Sequence, residues 1–192
     1  MTIRKEDRRV QRTQQLLENA LIELTVEKGY AKVTVQDIVD RANVGRTTFY
    51  AHYQDKEELL TRSIEGFFDW LHQELKQTTR GESGLLPALT IFRHVAEYAH
   101  VFRAFGATQM LHDKFHQQLV ALIEQRLEVL ETNGQSVDVP NQVLANYCAG
   151  ALLALLVWWL EEKTSYSAED MAGMFQRMVS ATISGGEVRV LR

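Results

Sequence analysis

Arg46, Thr47 and Thr48 stand in a row just after a point where a helix-rich chain is interrupted twice within three residues, by Asn43 and Gly45. Arginine donates two hydrogen bonds to a guanine edge, and threonine offers a neighbouring base its hydroxyl or its methyl, so the triplet could read DNA in the major groove. Tyr50, His52 and Lys56 lie just beyond, where they could grip phosphates. A plain helical hairpin with solvated polar residues is the competing reading. Other chemistry is thinly represented. His112 and His116 are one helical turn apart and could share a metal, but a zinc enzyme also needs a third ligand and a base. His94 and His100 are six apart and do not share a helix face. No glycine-rich phosphate loop follows a strand, and no nucleophile elbow occurs. No enzyme activity, metal or cofactor is expected, and solvated histidines are the simpler account. Cys148, the one cysteine, sits in the apolar run "NYCAGALLALLVWWL", where a buried, inert thiol fits better than a redox switch.

The elements that must position these groups are helical. In 192 residues, 45% of them hydrophobic, there are two prolines and many apolar repeats at three- and four-residue spacing, which point to an all-α fold. The first helix is expected from Glu6 or Asp7 to Lys28, with Val10, Thr13, Leu17, Ala20, Leu21 and Leu24 on one face and Gly29 as its stop. Thr34, followed three residues later by Asp37, caps a short second helix whose inner edge is Val35, Ile38 and Ala42. Asn43 to Gly45 form a turn, and a third short helix holds Arg46 to Ala51 with Phe49 inward. Asp55 and Glu58 repeat the capping pattern and open a long fourth helix to about Gln77. Pro87 stands in the first turn of the next helix, and a short piece ends at Gly106. A seventh helix carries Phe115 to Leu130, and two more run from about Pro140 to Lys163 and from Ser167 to Ser184. A short helix, a turn and a second short helix with a polar outer face make a helix-turn-helix, whose second helix lies in the major groove.

Charge divides the chain: residues 1–56 hold ten Lys and Arg against eight Asp and Glu, and the remainder eleven against seventeen, for −4 in all. Arg4, Lys5, Arg8, Arg9 and Arg12 concentrate positive charge at the N-terminus, as a phosphate-facing surface or a solvated basic tail. The opening "MTIRKEDRRV" is charged where a secretory signal needs an apolar core, so a cytoplasmic location is expected. The uninterrupted apolar part of the eighth helix, Ala149 to Leu160, is short for a bilayer span and runs into Glu161 and Glu162, so no membrane association is expected.

Residues 12–60 resemble the DNA-binding domain of the TetR family of bacterial transcriptional regulators. The resemblance rests on "EKGY" at the end of the first helix, "VTVQDIVDRANV" through the second helix and turn, and "TTFYAHYQDKEELL" from the recognition helix into the fourth. It implies a homodimer that binds a palindromic double-stranded DNA operator, usually repressing, and releases it when a small molecule enters the C-terminal domain. By position, it places Thr34 on a phosphate, Arg46, Thr47 and Thr48 in the groove, and Tyr50, His52 and Lys56 on the backbone. Where the family's turn usually reads Gly-Val-Ser, this chain has Asn43, Val44 and Gly45. Asn43 tolerates a left-handed conformation, so the turn should survive, whereas Gly45 removes a hydroxyl cap.

Under this resemblance residues 1–56 form the DNA-binding domain and residues 57–192 a helical sensing and dimerisation domain. Phe67, Trp70, Phe92, Phe102, Phe105, Met110 and Phe115 could line a pocket for an apolar or aromatic ligand, although such a stripe is more often core. Leu152, Leu155, Leu156 and Trp159, with Met171, Met174, Phe175 and Met178, are expected to pair two copies in a four-helix bundle. Burial within one chain must claim some of them, because "LLALLVWW" is apolar on every side. A same-fold regulator that binds a protein partner, and a helical metalloenzyme, are the alternatives.

Overall fold

Nine α-helices, one 3-10 turn and no strand occur among the residues described in the computed structural model, which are 5–78, 85–105, 109–132, 139–162 and 164–183. The chain is all-α, as its periodicity implies. It divides into two compact units, Met1–Leu71 with His100–Thr108, and His72–Ala99 with Gln109–Arg192.

In the first unit, α1 (Lys5–Lys28) buries Leu17, Ala20, Leu21 and Leu24 on one face and leaves Val10 exposed. Gly29 ends it at φ 79° and ψ 141°, a backbone region that side chains with a Cβ avoid. Its N–H closes the helix on the Thr25 carbonyl at 2.9 Å. A 3-10 turn, Tyr30–Lys32, leads to α2 (Val35–Ala42), which packs on α1 and buries Ile38, Val39 and Ala42. Asn43 then takes the left-handed conformation at φ 52° and ψ 47°, which reverses the chain into α3 (Arg46–Tyr50). Next comes α4 (Lys56–Thr78), whose inner face includes Leu59, Leu60, Ile64, Phe68 and Leu71. Two hydrogen bonds cap its start: Asp55 Oδ1 accepts from the Glu58 N–H at 2.7 Å, and the Glu58 carboxylate accepts from the Gln54 N–H at 2.8 Å.

The helices that follow are α5 (Ala88–Glu97), α6 (Ala99–Phe105), α7 (Gln109–Thr132), α8 (Asn141–Glu161) and α9 (Ala168–Ile183). Within the second unit α7 packs on α8, and α5 on α9. A capping box between Ser167 and Asp170 starts α9: the Ser167 N–H donates to Asp170 at 2.9 Å, and the Asp170 N–H donates to the Ser167 hydroxyl at 3.1 Å. An ion pair, Arg93 Nε to Glu169 Oε1 at 2.8 Å, joins α5 to α9 on the surface.

The expected dimer set separates here into three groups. Leu152, Leu156, Met171 and Phe175 are buried inside a single chain, and Leu155, Trp159 and Met174 are half-buried. Of the eight, only Met178 is exposed, at 50%. The apolar stripe that α8 does expose is Val143, Tyr147, Val157 and Trp158. A helix that is apolar all round carries no periodic signal of which face turns inward. By length and composition α8 could also cross a membrane, at 21 residues and mean hydropathy 1.9. Its inner face, from Leu144 through Cys148 to Leu156, is instead protein core, and burial pushes the Cys148 thiol up to about 11.

Candidate nucleic-acid interface

Thr34 sits at the N-cap of α2 in extended conformation, and its hydroxyl accepts from the Asp37 N–H at 3.2 Å. The Asp37 carboxylate in turn accepts from the Thr34 N–H at 2.8 Å and from the Thr34 hydroxyl at 2.6 Å. Lys28 adds an ion pair to the same carboxylate at 2.7 Å. The Lys28 ammonium, and after it the two Thr34 donors, hold the Asp37 carboxyl far below the usual carboxylate range. Thr34 is exposed as expected, but its hydroxyl already serves the helix start.

A second clamp fixes the far end of α2. Arg41 donates both terminal nitrogens to Glu27, at 2.8 and 2.7 Å, and one of them also to Glu23 at 3.1 Å. This two-pronged pairing of guanidinium with carboxylate is the strongest geometry an exposed ion pair adopts. With Lys28–Asp37 at one end and Arg41–Glu27 at the other, α2 is held to α1 on both flanks of its buried face.

The turn then aims α3. The Val44 N–H donates to the Val39 carbonyl at 3.0 Å, and the Gly45 carbonyl accepts from Thr48 and Phe49 at 2.9 and 3.1 Å. Phe49 is wholly buried, with its ring 5.4 Å from Tyr50 and 5.7 Å from Tyr53. With Phe49 inward, Arg46, Thr47, Thr48 and Tyr50 all face outward and are exposed. His52 is half-buried beside Tyr53, whose phenol is pushed up to about 12, mainly by burial. The triplet read from the sequence is therefore presented together on one outer face, with Tyr50 at its edge.

Lys56 is engaged within the chain. Placed on a phosphate by position, its ammonium instead turns inward, donating to the Val33 carbonyl at 2.8 Å and the Tyr30 carbonyl at 3.1 Å. It also lies 4.5 Å from the centre of the Tyr30 ring. Neither this arrangement nor the Arg41 clamp follows from local sequence, since each depends on how distant segments cross.

Gly45 has no need to be glycine. Its φ is −70°, and a Cβ built there would meet only Thr48 Oγ1, at 3.8 Å. It supplies no side-chain cap to α3. Gly45→Ser is expected to add a capping hydroxyl and restrict the unfolded chain, together stabilising by about 0.5–1 kcal/mol. Urea denaturation decides this, and an unchanged or lowered midpoint would contradict it.

The aromatic residues expected in a pocket lie in both units. Phe67 and Trp70 share one side of α4, rings 5.7 Å apart, with Phe67 half-buried and Trp70 partly exposed. Phe102, on α6, and Phe115, on α7, are half-buried. Phe92 is completely buried and packs edge-to-face on Trp159 at 5.5 Å, as core. The side chains of Phe105 and Met110 lie outside the described residues. His112 and His116 stack at 6.4 Å, and the described residues contain no group of three or more potential metal ligands.

Comparison with known proteins follows this division. Residues 17–62 match the family model of bacterial regulatory proteins of the tetR family, and residues 87–181 match a model of the transcriptional regulator C-terminal region. A crystal structure of a TetR transcriptional regulator from Streptococcus agalactiae is 30% identical, with a TM-score of 0.67, and the match covers 91% of this chain and 97% of that one. The uncharacterised HTH-type transcriptional regulator YxbF of Bacillus subtilis is 28% identical over 181 residues, 88% of this chain and 45% of its own. IcaR of Staphylococcus epidermidis, named a negative transcriptional regulator of the biofilm operon icaADBC, is 38% identical over 55 residues, 29% of each chain. The chain thus spans less than half the length of these two curated relatives. With the helix-turn-helix geometry, the two family models and a similarity that runs nearly end to end in a solved structure, the chain belongs to the TetR family of bacterial transcriptional regulators, which are DNA-binding proteins and not enzymes.

Proposed function

We propose that the protein is a homodimeric repressor that binds a palindromic operator and leaves it when a small apolar or aromatic molecule binds the C-terminal helices. The observation that carries the DNA-reading part is the outward row of Arg46, Thr47 and Thr48 on a helix fixed from behind by buried Phe49. Thr34 and Tyr50, both exposed, and His52 flank that row, within the proposed reading segment of residues 1–56. Repression is supported by the name of IcaR. The dimer is supported by the exposed apolar stripe on α8 together with Met178 on α9, which a second copy would cover. Sensing falls to residues 57–192 in this reading, and the Phe67–Trp70 pair is its best-placed aromatic surface. Both rings ride on α4, the helix that begins at Lys56, so a ligand pressing on them can disturb the support of the reader. A cytoplasmic location accords with a DNA-binding role.

The test is base discrimination. Arg46→Ala is expected to cost about 1–3 kcal/mol on a selected operator and little on random duplex, so that sequence preference flattens. Fluorescence anisotropy on both duplexes measures it. If the variant keeps full discrimination, Arg46 does not read a base.

A further inference from the structure

We infer that Lys56 is a positioning residue of the DNA reader, a staple between the entrance to α2 and the start of α4, and does not act as a phosphate contact. The inference rests on the DNA-binding reading above and adds to it what holds the reading helix at its angle.

An ammonium has three N–H donors and no acceptor. Two of those on Lys56 are directed at the carbonyls of Tyr30 and Val33, and the group lies against the Tyr30 ring, a favourable site for a cation. The positions of the partners give the contact its meaning. Val33 immediately precedes Thr34, the cap of α2, while Lys56 is the first residue of α4. The bond therefore closes a ring of chain, residues 33–56, that contains α2, the turn and α3. Within that ring α3 has five residues, too few to hold a helix by local hydrogen bonding alone. Its direction depends on Phe49 beneath it and on what fixes the two ends of the ring. Tyr30 beneath the ammonium is itself buried at 8% exposure, so its ring acts through the residues packed against it, Lys56 among them.

The two roles leave different marks on salt dependence. A lysine that neutralises a phosphate contributes about 0.9 to the slope of log affinity against log salt, and its removal lowers the slope by that amount. A positioning lysine lowers affinity at every salt concentration and leaves the slope in place. The probe is a duplex selected by the wild-type protein from a random-sequence pool. Lys56→Gln and Tyr30→Leu are each expected to weaken binding by the folded protein roughly tenfold with the slope unchanged. The double variant should bind no worse than Lys56→Gln alone, because Tyr30→Leu removes only the ring beneath the ammonium and leaves both carbonyl acceptors in place. In wild-type protein without DNA, the Lys56 ε-methylene protons should resonate upfield, shifted by the Tyr30 ring. A slope lower by about 0.9 per reading unit in Lys56→Gln would overturn the inference in favour of a phosphate contact. Unchanged affinity per folded molecule would overturn it in favour of a role in stability alone. An unshifted ε-methylene signal would overturn it without any variant, which keeps the matter decidable if the substitutions prevent folding. If the wild-type protein selects no duplex, the DNA-binding reading fails, while the ring-current shift still reports on the staple.

Discussion

Replacing Phe49 by Ala is expected to destabilise the reading unit by about 3–5 kcal/mol and to abolish operator binding, although Phe49 itself touches no DNA. The ring is completely buried and is the only buried side chain of α3. Removing it leaves a cavity behind a helix of five residues, whose exposed side, Arg46, Thr47 and Thr48, contributes nothing to holding it. Tyr50 loses an edge-on ring partner and Tyr53 a tilted one as well. Native-state hydrogen exchange is the direct measurement: amides of α2 and α3 should lose protection by about the same free energy, while those of α7 and α8 keep theirs. Phe49→Leu, which retains most of the volume, should cost below about 1.5 kcal/mol and preserve binding. Full protection in α3 of Phe49→Ala would show that the turn alone can hold the helix.

The second large effect concerns assembly. Tyr147→Glu or Trp158→Glu alters a side chain 56% or 42% exposed in the single chain, so the fold should survive. In a two-fold dimer formed across α8 the charge appears twice, each time against the partner's apolar stripe. At a cost of at least about 2 kcal/mol per copy, the dissociation constant rises roughly a thousandfold or more. Sedimentation should then show monomers with native helix content. The same change at Phe175 should unfold the chain, because that side chain is 2% exposed without any partner. Well-folded dimers of both Tyr147→Glu and Trp158→Glu would place the interface elsewhere.

What could be read from the sequence was whatever depends on near neighbours. The capping pairs Thr34–Asp37 and Asp55–Glu58 are each formed as their spacing implies, because both partners belong to one turn of chain. Asn43 adopts the left-handed conformation for the same local reason. The ends of α8 shift by only a residue or two, expected from Pro140 to Lys163 and observed as Asn141–Glu161. Contacts made across the fold were hidden. Nothing near Lys56 in the sequence indicates that its ammonium meets carbonyls 23 and 26 residues earlier. Arg41 reaches Glu23 and Glu27 only because α2 crosses α1 at that height. On α8 the difficulty was different in kind. Leu152 and Val157 are both apolar, and no pattern of residue types could tell the core side from the stripe.

The wholly apolar character of α8 also bears on how the molecule is made. Synthesis runs from the N-terminus, so this 21-residue segment, apolar enough for a bilayer, emerges from the ribosome after α7 and before α9. α7 is also the helix against which α8 packs. The order of elements along the chain thus provides a ready cover for the most insoluble stretch at the moment it is released. A circular permutation that placed α8 ahead of α7 would keep every contact of the finished protein and still lose that protection during translation.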